Sequence, residues 1–263
     1  MNDSKIGFIG TGTITEAVIR GLTSSPDVPS EIWVSPRNAC IASQLAHAYP
    51  LVHVACGNQE VADRCDVICL AVRPQVAEDV LGSIRFSGRH HVISFIAAYG
   101  IGRLQDLVAP AKKLVRAAPL PTVAEQLCST IVFPPDEIAR RLFIKLGGAI
   151  EVASEEAFNV LFSATATMGS FFALLENQAR WLERNGLSYP DAREYLASLY
   201  FGLASVAREK NGDFAVLSKE FTTTGGLNQQ VLDALNSTRV FDAFDQAFDQ
   251  VLQRLGGAPA SAK

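Results

Sequence analysis

The feature that most constrains this chain is a change of rhythm near residue 153. Before it, short runs that are almost wholly apolar (residues 5–9, 31–35, 51–54, 67–72, 91–95 and 113–116) alternate with stretches of helical period. A strand covered on one face alternates apolar with polar, whereas one covered on both faces is an unbroken apolar run. This half therefore predicts βαβ units and a parallel sheet between helices. Two shorter runs, 130–133 and 149–152, are placed to extend that sheet. After about Ser154 no strand-like run recurs and the segments follow a helical period. The expectation is an α/β domain over residues 1–153, an all-α domain over 154–257 and a flexible tail over 258–263.

The helical half has little to bury its side chains against. Its last segment sets Phe241, Phe244, Phe248, Val251 or Leu252, and Leu255 on one face, with Asp242, Asp245 and Asp249 elsewhere, before Gly256-Gly257 stops the helix. A helical domain with this many large apolar groups gains from sharing burial, worth roughly 25 cal/mol per Å², across a dimer interface. Residues 157–175 form a charge-free stretch of nineteen, close to the ~20 that span a bilayer. Asn159, Ser163, Thr165, Thr167, Gly169 and Ser170 interrupt it and glutamates flank it. A buried helix with a polar stripe is expected there, and no membrane partner.

Charge excludes another class. The 23 basic and 27 acidic side chains leave a net charge of -4, with Lys112-Lys113 and Arg140-Arg141 the only basic doublets. A binder of nucleic-acid backbone gains affinity from clustered positive charge, so no such partner is expected. The five cysteines (Cys40, Cys56, Cys65, Cys69, Cys128) are odd in number and lack a CxxC pair, and no basic-then-apolar leader opens the chain, which points to a reducing cytoplasm. Cys69 lies in an apolar run, as a small buried hydrophobe does. The four histidines have no metal-ligand spacing and none pairs with a carboxylate at ligand spacing, so no metal site is expected.

The chemistry sits at the exit of the first strand. Gly10-Thr11-Gly12-Thr13-Ile14-Thr15, followed by a helix from about Glu16 to Leu22, makes a GxGxxG turn whose third glycine is replaced by Thr15. The first glycine permits a tight turn and the second lets backbone approach a pyrophosphate. The helix start, with Thr13 and Ile14, presents N–H groups to that anion. About 20 residues on, where NAD binding calls for a ribose-binding acid, the chain has Ser35-Pro36-Arg37 instead. An arginine there pairs with a 2′-phosphate, which predicts NADP, with NAD the weaker option; the bland alternative is a solvated surface arginine. Ala71-Val72-Arg73-Pro74-Gln75 follows the fourth run, at the carboxyl edge where ligands bind in such sheets. Asn58 follows the third, either as a cofactor ligand or, the simpler reading, as the cap of the next helix.

These residues resemble the pyrroline-5-carboxylate reductase family. Ile6-Gly7-Phe8-Ile9-Gly10-x-Gly12, with Glu16-Ala17 and Arg20-Gly21-Leu22, is similar to that family's first βα unit. Ala71-Val72-Arg73-Pro74-Gln75 is similar to its Ala-Val-Lys-Pro-Gln, and Ser94-Phe95-Ile96-Ala97-Ala98, Val115-Arg116 and Pro119 continue the match in order. The likeness runs through nearly the whole chain. It implies a Rossmann domain, a helical dimerisation domain and hydride transfer from NAD(P)H to a cyclic imine. It also implies that Asn58 and the backbone around Ala71, Val72, Arg73 and Pro74 belong to the cofactor site, and that Ala97 lies near the nicotinamide.

Departures fall where the substrate would sit. The family's Ser-Gly-Ser-Gly-Pro-Ala corresponds to Ala164-Thr165-Ala166-Thr167-Met168-Gly169, and its Pro-Asn-Thr-Pro to Pro119-Leu120-Pro121-Thr122. Its Ser-Pro-Gly-Gly-Thr-Thr corresponds to Thr223-Thr224-Gly225-Gly226-Leu227-Asn228, which puts Asn228 where the family has the threonine taken as proton donor. The retained diglycine still offers N–H groups and a helix dipole to a carboxylate, with hydroxyls from Thr222, Thr223 and Thr224 nearby; an ordinary helix-start loop is the alternative.

An asparagine amide orients by hydrogen bonding but is no acid, so the imine would arrive protonated or take its proton from a water. The expectation is an NADPH-dependent reductase of a cyclic imino acid, 1-pyrroline-5-carboxylate to proline first among them, working as a homodimer or higher homo-oligomer. Alternatives are a reductase of another imine or carbonyl, a dinucleotide-binding protein without catalysis, and a reductase using a deazaflavin coenzyme. The long helical half speaks against the last.

Overall fold

The structure is a computed structural model that describes residues 5–256; the expected tail, 258–263, lies outside the described residues. The strands are β1 Lys5–Ile9, β2 Glu31–Val34, β3 Val52–Val54, β4 Val67–Leu70, β5 His91–Ser94, β6 Lys113–Ala118, β7 Thr130–Phe133 and β8 Ala149–Glu151. They form one sheet in the order β3-β2-β1-β4-β5-β6-β7-β8. The first six are parallel. The two short runs do extend the sheet, but β7 is antiparallel to β6 and β8 follows β7, so the parallel order is reversed there.

Helices α1 Thr13–Thr23, α2 Ala39–Ala48, α3 Asn58–Arg64, α4 Ala77–Gly82, α5 Ile101–Leu107 and α6 Glu137–Ile144 fill the connections. Because the pleat sends successive side chains to opposite faces, the strands feed two cores. On one side Ile6, Phe8, Ile32, Val34, Ile93 and Val115 meet Val18, Ile19 and Leu22 of α1 and Leu142 and Phe143 of α6. On the other, Ile9, Ile68, Leu70, Val92 and Leu114 meet Val61 of α3, Leu81 of α4 and Leu104 of α5. This double cover accounts for the unbroken apolar runs. Cys69 is wholly buried and burial raises its thiol pKa, which keeps it inert.

His91, buried on β5, has Nε2 3.1 Å from the Asp136 carboxylate, at ion-pair distance though off the angle of a good hydrogen bond. Tertiary packing makes a pairing that spacing along the chain does not show. Asp136 also caps α6 by accepting from the Ala139 N–H at 2.9 Å. Burial pushes its pKa up, but His91 and the capped N–H groups prevail and hold it below the ordinary carboxylate value. No metal-binding group of three or more His, Cys, Asp or Glu comes together among the described residues.

Helices α7 Glu155–Ala164, α8 Thr167–Arg184, α9 Tyr189–Glu209, α10 Phe214–Glu220, α11 Leu227–Ser237 and α12 Val240–Arg254 complete the chain. Residues 5–163 with 252–256 form one compact unit and residues 164–251 a second. In the second, α8 and α9 pack around Ala179, Ala192 and Leu196, while Phe172, Phe201 and Phe214 are 66%, 70% and 74% exposed. Residues 157–175 are not the single buried helix expected. A turn at Thr165-Ala166 divides α7 from α8, and over Glu155–Arg184 only 17% of the most apolar window is buried. The segment is apolar without being covered among the described residues.

Candidate active site

The crevice of the sheet opens at the carboxyl end of β1, where the strand order turns toward β2 on one side and β4 on the other. A cavity of about 620 Å³ lies there, lined by residues 10–12 after β1, 37–39 after β2, and 71–73, 75 and 76 after β4. That volume suits a small-molecule ligand.

The glycine turn is held from two directions. Gly10 N–H donates to Ser35 Oγ at 2.9 Å, and the Thr11 hydroxyl donates to the Ser35 carbonyl at 2.6 Å. Thr15, wholly buried at the third-glycine position, donates to the Gly10 carbonyl at 2.6 Å. Its hydroxyl pins helix to turn where a glycine would simply let them pack closer. Gly10 has φ +102°, and a Cβ there would lie 2.4 Å from the Ala71 carbonyl oxygen, so a side chain is excluded twice over.

Gly12 behaves differently. Its backbone is extended, and a Cβ would meet nothing within 4 Å. No contact inside the protein demands a glycine at this position; space kept open beside the cavity does. Beyond it, the first helical bond of α1 runs from Glu16 N–H to Gly12 O, leaving the N–H groups of Thr13, Ile14 and Thr15 without helical partners. Arg37 and Arg73 line the same cavity, and neither is in an ion pair among the described residues. A helix start and two uncommitted guanidiniums suit a ligand with several phosphate charges.

Of the anticipated cofactor residues, Gly10, Gly12, Arg37, Ala71, Val72 and Arg73 line this cavity. Ser35 does not. It is buried under the turn and committed to Gly10 and Thr11, which makes it a support and not a lining residue. Thr13 and Ile14 start α1, with Ile14 packed against the core. Pro74 opens a single 3-10 turn, Pro74–Val76, and its carbonyl accepts from the Tyr99 hydroxyl at 3.1 Å. Ala97 is half-buried after β5, next to Ala98 at φ +57°.

Asn58 lies outside the cavity lining, and it does not cap α3. Gly57 is the cap, and Glu60 reaches back to the Cys56 N–H at 2.8 Å instead. Thr11 and Asn38 went unanticipated. Asn38 caps α2 through the Ile41 N–H at 3.4 Å, and an asparagine just ahead of a helical run was the available signal.

In residues 164–251, α11 begins at Leu227 behind Gly226. The diglycine N–H groups, however, are not free for an anion: Gly225 donates to Gln229 Oε1 at 2.7 Å and Gly226 to the Thr223 carbonyl at 2.9 Å. The open donors lie further on. Gln230 makes the first helical bond, to Gly226 O, so Leu227, Asn228 and Gln229 keep unpaired first-turn N–H groups. The Asn228 side chain donates from Nδ2 to the Phe221 carbonyl at 2.7 Å, tying the helix start to the head of the loop. Thr223 and Thr224 are exposed, and Thr224, Thr222 and the unanticipated Lys219 line a cavity of about 330 Å³. Thr165 is half-buried in the turn before α8, and Met168 is exposed in its first turn.

Two family models match the chain in sequence. Residues 5–98 match the model described as NADP oxidoreductase, coenzyme F420-dependent, and residues 155–257 match that for pyrroline-5-carboxylate reductase dimerisation. A pyrroline-5-carboxylate reductase of Vibrio alginolyticus is 25% identical over 266 residues, covering 97% of each chain. That of Escherichia coli is 26% identical over 263 residues, covering 96% of this chain and 97% of the relative. The 1-pyrroline-5-carboxylate reductase structure from Streptococcus pyogenes superposes with TM-score 0.84 at 23% identity, over 97% of this chain and 99% of its own. The Plasmodium falciparum pyrroline carboxylate reductase with NADP bound gives 0.83 at 19%, over 97% and 98%. With the two halves matched in order and the relatives aligned from end to end, the chain is similar along nearly its whole length to pyrroline-5-carboxylate reductases.

Proposed function

We propose that this protein reduces 1-pyrroline-5-carboxylate to proline with NADPH. The observation that carries the proposal is the cavity at the switch point of the sheet, with the glycine turn at its edge and two uncommitted guanidiniums in its lining. The nucleotide half alone does not separate nicotinamide from deazaflavin chemistry, since its family model is named for both. The helical half does, because it matches the dimerisation model of the imine reductases.

The nicotinamide, when bound, supplies a hydride to the imine carbon. The chain binds and orients. Gly12 gives the pyrophosphate access to the N–H groups of Thr13 and Ile14, and Arg37 takes the 2′-phosphate that distinguishes NADPH from NADH. Arg73 adds charge to the same cavity. Asn58, the backbone of residues 71–74 and Ala97 complete the cofactor contacts that the family resemblance implies. For the substrate, the open N–H groups of Leu227, Asn228 and Gln229 take the ring carboxylate. Thr165, Met168, Thr223, Thr224, Gly225 and Gly226 are the further substrate residues. Asn228 holds the loop and donates no proton as an acid, so the ring nitrogen enters already protonated, and hydride addition to the iminium carbon leaves a neutral amine.

The apolar faces left open on residues 164–251 are covered in a homodimer or larger homo-oligomer. The five cysteines are all free thiols, which suits action in a reducing cytoplasm.

NADPH oxidation followed in parallel with five- and six-membered cyclic imino acids tests the proposal. Turnover of the five-membered ring is expected. So is its loss in Gly226→Val, where a Cβ would fall 2.3 Å from Thr223 Oγ1. Tight NADPH binding without turnover of any imine would overturn it.

A further inference from the structure

A half-buried ion pair unused by the chemistry above lies on β6, two strands beyond β4 and its cavity-lining exit. Arg116, on β6, is only 2% exposed. Its Nη1 donates to Glu155 Oε1 at 2.6 Å and to Asn159 Oδ1 at 3.2 Å, and its guanidinium lies over the Phe158 ring. Glu155 also accepts from the Ile101 N–H at 2.8 Å, so the same carboxylate oxygen holds the start of α5. The segment between β5 and α5, residues 95–100, is thereby tethered at its far end to β6 and α7.

It is tethered at a second point. The Tyr99 hydroxyl donates to the Pro74 carbonyl at 3.1 Å, joining this segment to the one after β4 that lines the cavity. Immediately before the tethers, which act at Tyr99 and Ile101, Ala98 sits at φ +57°, a left-handed conformation that a residue with a side chain keeps only when its surroundings impose it. With β5 before the strained residue and two anchors directly after it, the path of the backbone is over-determined.

That path bears on hydride transfer. If the glycine turn takes the pyrophosphate and Arg37 the adenosine phosphate, the other mononucleotide half falls across the carboxyl ends of β4 and β5. These ends carry the two segments that Tyr99 joins. We propose that Glu155 and Tyr99 are positioning residues for the reduction: Glu155, paired with Arg116, and the Tyr99 hydroxyl fix segment 95–100 so that the nicotinamide is presented in register with the imine. The proposal rests on the NADPH-dependent reading above. A displacement of about 1 Å in such a segment costs on the order of a hundredfold in rate, so loosening either anchor should be visible in turnover.

The experiment compares the parent with Glu155→Gln and Tyr99→Phe. Tyr99→Phe keeps the ring and its packing, so it remains informative where loss of the buried charge disturbs folding. In the coenzyme-free protein, amide exchange over residues 95–104 should rise about tenfold in each variant while β1 and β4 stay protected. With NADPH and the imine, kcat should fall about tenfold or more and both KM values should change less than about threefold. The isotope effect from NADPH deuterated at the transferred position should rise, because hydride transfer becomes slower relative to release. Unchanged exchange would show that the anchors do not hold the segment. Faster exchange with unaltered kcat and isotope effect would confine them to a structural role. Either result overturns the proposal. Turnover by the parent tests the underlying reading separately.

Discussion

The two compact units solve the burial problem in opposite ways. In residues 5–163 each central strand is covered on both faces by helices of the same chain, and the cores on either side of the sheet are closed. In residues 164–251 the helices share a thin core, and Phe172, Phe201, Phe214 and Leu227 stand open. The first unit can therefore build the cavity at its switch point from its own residues. The second leaves apolar faces uncovered, which suits the match of residues 155–257 to a model named for dimerisation.

The largest effects should separate the units by their dependence on concentration. Phe143, wholly buried on α6 and edge-on to Phe95, should cost about 3–5 kcal/mol as Phe143→Ala, with the same urea midpoint shift at any protein concentration. Phe172→Ala should cost little at high dilution and progressively more as protein concentration rises, since its ring is 66% exposed in the single chain and the proposed oligomer would cover it. Equal, concentration-independent shifts for the two variants would break the comparison.

Within the first unit, the two glycines of the turn should split stability from affinity. Gly10→Ala places a Cβ against the Ala71 carbonyl at positive φ and should destabilise the fold by about 1–3 kcal/mol or more. Gly12→Ala meets no protein atom within 4 Å, so it should leave the unfolding midpoint almost unmoved and weaken NADPH at least tenfold in a calorimetric titration, ~1.4 kcal/mol. Arg37→Ala comes next: about tenfold weaker NADPH binding with NADH little changed, measured as paired Kd values. Equal losses for the two coenzymes would remove Arg37 from the 2′-phosphate.

How much of this was legible follows from the same contrast. Strand positions, the closed sheet and the glycine turn are local consequences of apolar runs and of residues with special backbone freedom, so 5–9, 67–72 and 91–95 announce themselves. Ser35 misled because its position in sequence is that of a ligand, while its hydroxyl turns under the turn to hold Gly10. Asn58 misled because a capping residue type does not fix which of two neighbours, Gly57 or Asn58, takes the cap position. Residues 157–175 misled because apolar periodicity reports that a face is to be buried but not by whom. The Arg116 anchor joins residues 39 apart, and the His91–Asp136 pair joins a strand to a distant helix cap, so neither leaves a mark in local spacing.

That last pair gives the smallest prediction and the sharpest test of a contact invisible in sequence. Asp136 has its pKa held below the ordinary value by His91 and the α6 N–H groups, against the opposing effect of burial. A carboxylate whose folded pKa lies below its unfolded value of about 3.9 adds stability above that pH and loses it as pH falls through the folded value. Asp136→Asn keeps an acceptor for the Ala139 N–H and removes only the charge. The variant should therefore be less stable than the parent by about 1 kcal/mol near pH 6, with the gap closing below about pH 4 as Asp136 becomes neutral in the parent. A gap of constant size across that range would mean that Asp136 acts as a cap alone, and that the closed unit draws nothing from its buried histidine.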